Sequence, residues 1–121
     1  MNAQNKAQAR ARRKRRVRKN MHGTAARPRM TVFKSNKHIY VQVIDDDRGA
    51  TMASTSTLSE AIRGAVKELN KKDAATKIGE AIAEACKAAN INQVVFDRNG
   101  YPYTGRVAAV ADGARSGGLE L

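Results

Sequence analysis

Residues 30–44 read MTVFKSNKHIYVQVI, two β-branched and aromatic runs around a short polar break. The first run, 30–34, and the second, 38–44, predict antiparallel strands, with Ser35-Asn36-Lys37 as a short hairpin turn. Side chains alternate along a strand, so Ile39, Val41 and Val43 share one face and His38, Tyr40, Gln42 and Ile44 the other. The first face is core; the second is polar yet aromatic and stays available to a partner. Asp45-Asp46-Asp47-Arg48-Gly49 supplies the next turn. A third strand over 50–56 completes an antiparallel meander.

Downstream, the period changes. Thr57-Leu58-Ser59-Glu60 matches a capping box, in which Thr57 and Glu60 satisfy each other's backbone N–H groups, and predicts a helix to about Glu68. After the polar linker Asn70-Lys71-Lys72, Asp73 is the expected N-cap of a long helix reaching Ala89. Ala74, Ile78, Ala81, Ile82, Ala85 and Ala89 recur on its inner face, leaving Lys77, Glu80, Glu84 and Lys87 to solvent. Asn90 suits the left-handed position that ends such a helix. Residues 93–97, QVVFD, read as a strand inside the sheet, and 98–105 as loop. A last helix over 106–115 presents Val107, Val110, Ala111 and Ala114 before Gly117-Gly118 stops it. The helical crossover makes the fourth strand parallel to its neighbour. The expected fold is α/β: a mixed four-stranded sheet, a β-β-β meander plus one parallel strand, flanked by helices. Residues 1–26 form a basic arm and 27–121 a single domain.

Charge divides the chain in the same way. Thirteen of the 23 Lys and Arg residues fall within the first 38 positions, where there is no Asp or Glu. The remaining 83 positions carry 10 basic and 11 acidic residues, so the net charge of +12 sits in the N-terminal third. Such asymmetry points to a polyanion partner. Arg12 to Arg16 are consecutive cations whose repulsion opposes a helix in isolation. The arm is expected to be disordered when free and helical once an anion neutralises it. A membrane-binding face would need Leu, Phe or Trp behind the charge, and residues 1–20 offer only Met1 and Val17. No apolar segment follows the basic one, as a signal peptide requires, and no run reaches the ~20 apolar residues of a membrane span.

Three groups have the chemistry of nucleic-acid contact. Arg27-Pro28-Arg29 fixes two planar guanidiniums where the arm meets the sheet, each suited to forked hydrogen bonding with phosphate. The hairpin brings together Lys34, Asn36, Lys37, His38 and Tyr40, with Gln42 beyond. It can grip a backbone, donate to a 2′-hydroxyl and stack on a base. Residues 96–106, FDRNGYPYTGR, hold a second cluster: Asn99-Gly100 favours a tight turn, and Pro102 keeps the return arm out of a central strand. Arg98, Asn99, Tyr101, Tyr103 and Arg106 then stand near the last helix's N-terminus, where backbone N–H groups also suit phosphate. The two tyrosines equally fit a plain sealing role at the sheet's end.

Catalysis has little support. His22 and His38 are the only histidines, and no Cys or His pair has metal-ligand spacing. Asp45 to Asp47 beside Arg48-Gly49 read as a solvated turn rather than a cation site. Cys86, the lone cysteine, lies near an Ala-rich apolar stripe and fits packing; it excludes an intramolecular disulfide and suits a reducing, intracellular compartment. Neither a phosphate-binding Walker loop nor a nucleophile with its base is present. No enzyme activity, cofactor or small-molecule substrate is expected.

Several ordered stretches resemble the family of bacterial large-subunit ribosomal protein eighteen. They are Gly23-Thr24-Ala25-Ala26-Arg27-Pro28-Arg29, residues 32–46, Ala53-Ser54-Thr55-Ser56, Lys72-Asp73-Ala74-Ala75, residues 96–106 and Ala111-Asp112-Gly113-Ala114-Arg115. The chain departs from the family's pattern at Thr104, usually His, at Ser116-Gly117, usually Glu-Ala, and at Leu121, usually Phe. Ser116-Gly117 predicts an early-fraying last helix. The resemblance implies a cytoplasmic constituent of the large subunit that binds 5S rRNA and helps attach it to 23S rRNA in the central protuberance, beside other 5S-associated ribosomal proteins. By position it implies RNA contacts from Arg10, Arg12, Arg13, Lys14, Arg15, Arg16, Arg18 and Lys19 in the arm, then from the three groups above. The competing reading is a general nucleic-acid-binding or DNA-compacting protein that uses the same arm.

Overall fold

The computed structural model describes residues 3–18 and 21–121. The elements run α1 (Ala3–Arg18), β1 (Arg29–Lys34), β2 (Ile39–Asp45), β3 (Ala50–Ser56), α2 (Glu60–Val66), α3 (Lys71–Ala88), β4 (Val95–Asp97) and α4 (Gly105–Ser116). The strands form one sheet in the order β3-β2-β1-β4. β1, β2 and β3 pair antiparallel, with Met30 opposite Val43 and Phe33 opposite Tyr40. β4 lies parallel to β1, Met30 facing Phe96. The predicted α/β class, meander and parallel fourth strand all hold. Within the sheet one expectation fails: β4 is a three-residue edge strand, not an interior one. The chain's end pairs with the residues leading into it, Val94 donating to the Glu120 carbonyl at 2.8 Å and Glu120 to that of Asn92 at 3.0 Å.

Alternation along β1 and β2 sets the core. Met30, Val32, Ile39, Val41 and Val43 point to one side, each at most 2 % exposed. Ala75, Ile78, Ile82, Ala83 and Cys86 of α3 and Ala109, Val110 and Ala114 of α4 pack onto them. The buried stripe of α3 is rotated from the predicted one: Ala75, Gly79 and Ala83 are inside, while Ala89 is exposed. The cause is the crossing with α4. A Cβ on Gly79 would meet the Val110 carbonyl oxygen at 2.1 Å, and one on Gly113 the Thr76 carbonyl oxygen at 2.2 Å. Two glycines thus let the backbones touch, and small residues beside them seal the contact. Burial raises the Cys86 thiol to about 11, which keeps it an inert packing group.

The helix ends differ in detail from expectation. Thr57 is not a cap: its hydroxyl meets the Ile39 N–H at 3.2 Å and His38 Nδ1 at 3.0 Å, tying the segment after β3 to the hairpin. Ser59 takes the N-cap position of α2, without a side-chain bond. α3 starts before Asp73, capped by Asn70, whose side-chain oxygen accepts the Asp73 N–H at 2.8 Å. Asn90 does adopt the left-handed conformation after α3, at φ 60°. α4 holds to Ser116, past the early fraying predicted for it, and Gly117 donates to the Gly113 carbonyl.

The acidic turn after β2 is an anchor rather than a solvated loop. Asp45 is 1 % exposed, and its Oδ1 accepts the backbone N–H groups of Asp47 and Arg48. Asp46 accepts the Gly23 N–H at 2.7 Å and two bonds from Arg29 at 3.0 and 3.1 Å. Asp47 pairs with His22 at 2.6 Å. Carboxylates that looked free therefore fasten the segment leading into β1. Among the described residues no His, Cys, Asp and Glu group is arranged to hold a metal ion.

Candidate nucleic-acid interface

Among the described residues, α3 and α4 pack only on the core side of the sheet. Arg29, Thr31 and Phe33 of β1 and Tyr40, Gln42 and Ile44 of β2 line a cleft of about 440 Å³ on the far side, closed at its edge by Lys14 of α1 and by Asn99. Phe33 is 46 % exposed. Its ring lies 5.9 Å from that of Tyr40, tilted by 48°. Two adjoining rings on an open strand face, bordered by a cationic helix, can stack on unpaired bases while the helix meets phosphate. Phe33 is absent from the residues read as contacts in the sequence, yet the alternation that buries Met30 and Val32 requires it to face outward.

Helix α1 is held by the loop after β4. Asn99 and Gly100 both have positive φ, 56° and 76°, and Tyr101 donates back to the Arg98 carbonyl at 3.0 Å, closing the predicted tight turn. A Cβ on Gly100 would stand 2.6 Å from the Arg10 carbonyl oxygen, so only glycine lets α1 come this close. Arg13 Nε donates to the Gly100 carbonyl at 3.0 Å. The Arg10 guanidinium lies 4.7 Å above the Tyr101 ring and Lys34 Nζ 5.1 Å from it. Tyr101 is only 8 % exposed; its hydroxyl receives Arg10 at 3.2 Å and donates to the Lys34 carbonyl at 3.2 Å. The ring is thus a clamp for cations, not an open stacking platform. With Arg10, Arg13 and Lys14 turned inward, Arg12, Arg15 and Arg16 are exposed. Lys19 lies outside the described residues, and Arg18 ends α1.

The cations around Tyr101 crowd one another. Desolvation, and then the charge of Arg106, lower Lys34 below the usual lysine value. Arg106 itself donates to the Ser35 carbonyl at 2.9 Å, joining the start of α4 to the hairpin. An arriving phosphate would relieve this repulsion. Arg29 is differently occupied: its guanidinium bonds Asp46 and, at 2.8 Å, the buried Asp97. Asp46, then Asp97, hold it above the usual arginine value against its desolvation. Its partners make it a brace under the cleft.

The other predicted contacts are dispersed. Asn36 and Lys37 are exposed at the hairpin tip, and Asn36 accepts a hydrogen bond from Lys71 at 3.3 Å. His38 turns toward Thr57. Arg27 is exposed and touches the Val94 carbonyl at 3.5 Å, whereas Arg98 is half-buried beside the tight turn. Tyr103, 41 % exposed, packs edge-on against Phe96 at 5.8 Å and accepts a bond from Arg115 of α4. It stands with the helices, apart from Tyr101.

The family model described as ribosomal L18 of archaea, bacteria, mitochondria and chloroplasts matches residues 4–121. A protein of Myxococcus xanthus named large ribosomal subunit protein uL18 is 56 % identical over 116 residues, which cover 96 % of this chain and 98 % of the relative. The protein of that name from Sorangium cellulosum is 55 % identical over 112 residues, 93 % of this chain and 94 % of the relative. That from Bacteroides fragilis is 57 % identical over 106 residues, 88 % and 89 % of the two chains.

Proposed function

The chain belongs to the ribosomal L18 family, a non-enzymatic constituent of the large ribosomal subunit, and on that premise we propose that it binds 5S rRNA and helps attach it to 23S rRNA in the central protuberance. One observation carries the reading: a basic helix docked beside an open sheet face that holds an aromatic pair, Phe33 exposed and Tyr40 half-buried. Arm cations displace counterions and supply affinity without sequence preference. Phe33 and Tyr40 stack on bases that a folded RNA leaves unpaired, and Gln42 and the hairpin donors meet backbone or 2′-hydroxyl groups. Arginines 12, 15 and 16 face phosphate, while Tyr101 acts by fixing α1 in place. Recognition is of RNA shape.

The test compares binding to 5S rRNA with binding to a DNA duplex of equal length at moderate salt. A preference for the RNA of tenfold or more is expected. Equal affinity would sink the 5S reading and favour a general nucleic-acid-compacting role.

A further inference from the structure

A second cavity, of about 270 Å³, opens at the hairpin end of the fold and shares no residue with the sheet-face cleft. Val66, which is buried, and Leu69, which is partly so, give it an apolar floor, while exposed Lys37, Arg63, Lys67 and Lys71 surround them. No Asp or Glu lines it among the described residues. This is not the average surface of the molecule. Residues 39–121 carry 10 basic against 11 acidic groups, yet three of those ten cations meet Lys37 here. Arg63 and Lys67 lie one helical turn apart at the end of α2, and Lys71 opens α3 beyond the intervening turn, so the three border one pocket. Hydrogen bonds fix the walls: Lys71 to Asn36 at 3.3 Å, and Thr57 to His38 at 3.0 Å.

From this geometry we infer a second RNA-binding site, one that takes the sugar-phosphate backbone of a strand other than the one on the sheet face. The inference rests on the RNA-binding reading above and gives it a second contact surface. A cluster of cations meets a backbone that carries one charge per nucleotide, and the apolar floor receives a ribose or base edge. The pocket opens beside the hairpin tip, whose Asn36 and Lys37 belong to the proposed contacts, and it is distinct from the sheet-face cleft. That neighbourhood favours RNA over an acidic protein segment. Two separate RNA surfaces on one small protein are what joining two RNA strands requires.

The test uses the full chain bound to immobilised 5S rRNA and measures capture of labelled 23S rRNA. The triple variant Arg63→Gln, Lys67→Gln, Lys71→Gln should hold 5S rRNA within about twofold of the unmodified protein, yet capture 23S rRNA at least tenfold less, each lost phosphate contact lowering the salt slope by roughly 0.7–0.9. Lys67→Gln alone, at an exposed position, keeps the comparison open if the triple variant folds poorly. Undiminished capture overturns the site. So does binding of a Leu-containing polyglutamate peptide that the triple variant loses while its 23S capture persists. If the unmodified chain fails to select 5S rRNA, the parent reading falls. The site is then judged on an RNA duplex, where the triple variant should lower the salt slope by about 2–3; an unchanged slope overturns it.

Discussion

Arg29 and Asp97 meet at 2.8 Å beneath the open sheet face, and the Asp97 side chain has no solvent exposure. Asp97 also accepts the Asn99 N–H at 2.9 Å, so one carboxylate joins β1 to the turn on which α1 rests. Removing it leaves Arg29 with Asp46 alone and takes the acceptor from the amide of that turn. Asp97→Ala should therefore cost about 1–3 kcal/mol, the range for leaving buried hydrogen-bond partners unsatisfied. Urea unfolding followed by circular dichroism measures it. A loss under 1 kcal/mol would show that the pair is not a brace.

Asp46 predicts how stability responds to acid. Its hydrogen bonds from Arg29 hold the carboxyl at about 2, below its ordinary 3.8. A depressed folded value means the carboxylate's contribution is fully present above about 4 and is lost as pH falls through about 2. Thermal melts between pH 5 and pH 2 should show the fall, and Asp46→Asn should flatten it. The His22 pair has the opposite sign. Its hydrogen bond to Asp47 raises the imidazole above 6.5, so its contribution is present below that value and lost as pH rises through the raised one. That pair is well exposed, so added salt should weaken it.

The sheet was legible because alternation in residues 30–44 leaves one consistent register, in which every apolar residue of β2 but Ile44 falls on one side. The α3 stripe was less so, because alanine and glycine carry almost no hydropathy signal. Gly79 is buried for want of a side chain, a reason that appears only when Gly113 stands across from it. Asp45 to Asp47 looked solvated because the partners of Asp46 and Asp47, His22, Gly23 and Arg29, lie 17 to 25 positions earlier. Tyr101 stood open between an RNA contact and a seal for the sheet's end for a similar reason. The helix that covers it has no apolar face, and it docks through cations over a ring, which hydropathy patterns do not register.

Phe33 should matter to RNA and little to folding. It is exposed, and its partner Tyr40 keeps the ring oriented across the strands. Phe33→Ala should weaken binding to folded 5S rRNA by about 1–3 kcal/mol, the value of one stacked base, while leaving weak duplex binding unchanged. Paired titrations on the two RNAs separate the effects. Equal losses on both would assign the ring to packing.

Gly100 tests whether the arm acts from a fixed position or only by its charge. At φ 76°, with the Arg10 carbonyl 2.6 Å from any added Cβ, alanine there is strained and also pushes α1 away. The substitution leaves every cation in place. If charge alone supplied the arm's contribution, Gly100→Ala would bind 5S rRNA as the unmodified chain does, with the same salt slope. If docking orients Arg12, Arg15 and Arg16, the slope should stay near its original value while affinity for 5S rRNA falls by about tenfold, since the same phosphates are met only after α1 is ordered. Tyr101→Phe, which removes the hydroxyl's bonds to Arg10 and Lys34 but keeps the ring, should give a smaller loss in the same direction. Amide hydrogen exchange in residues 10–16 provides the independent readout. Exchange in both variants should accelerate before RNA is added and equalise with the unmodified chain once it is bound.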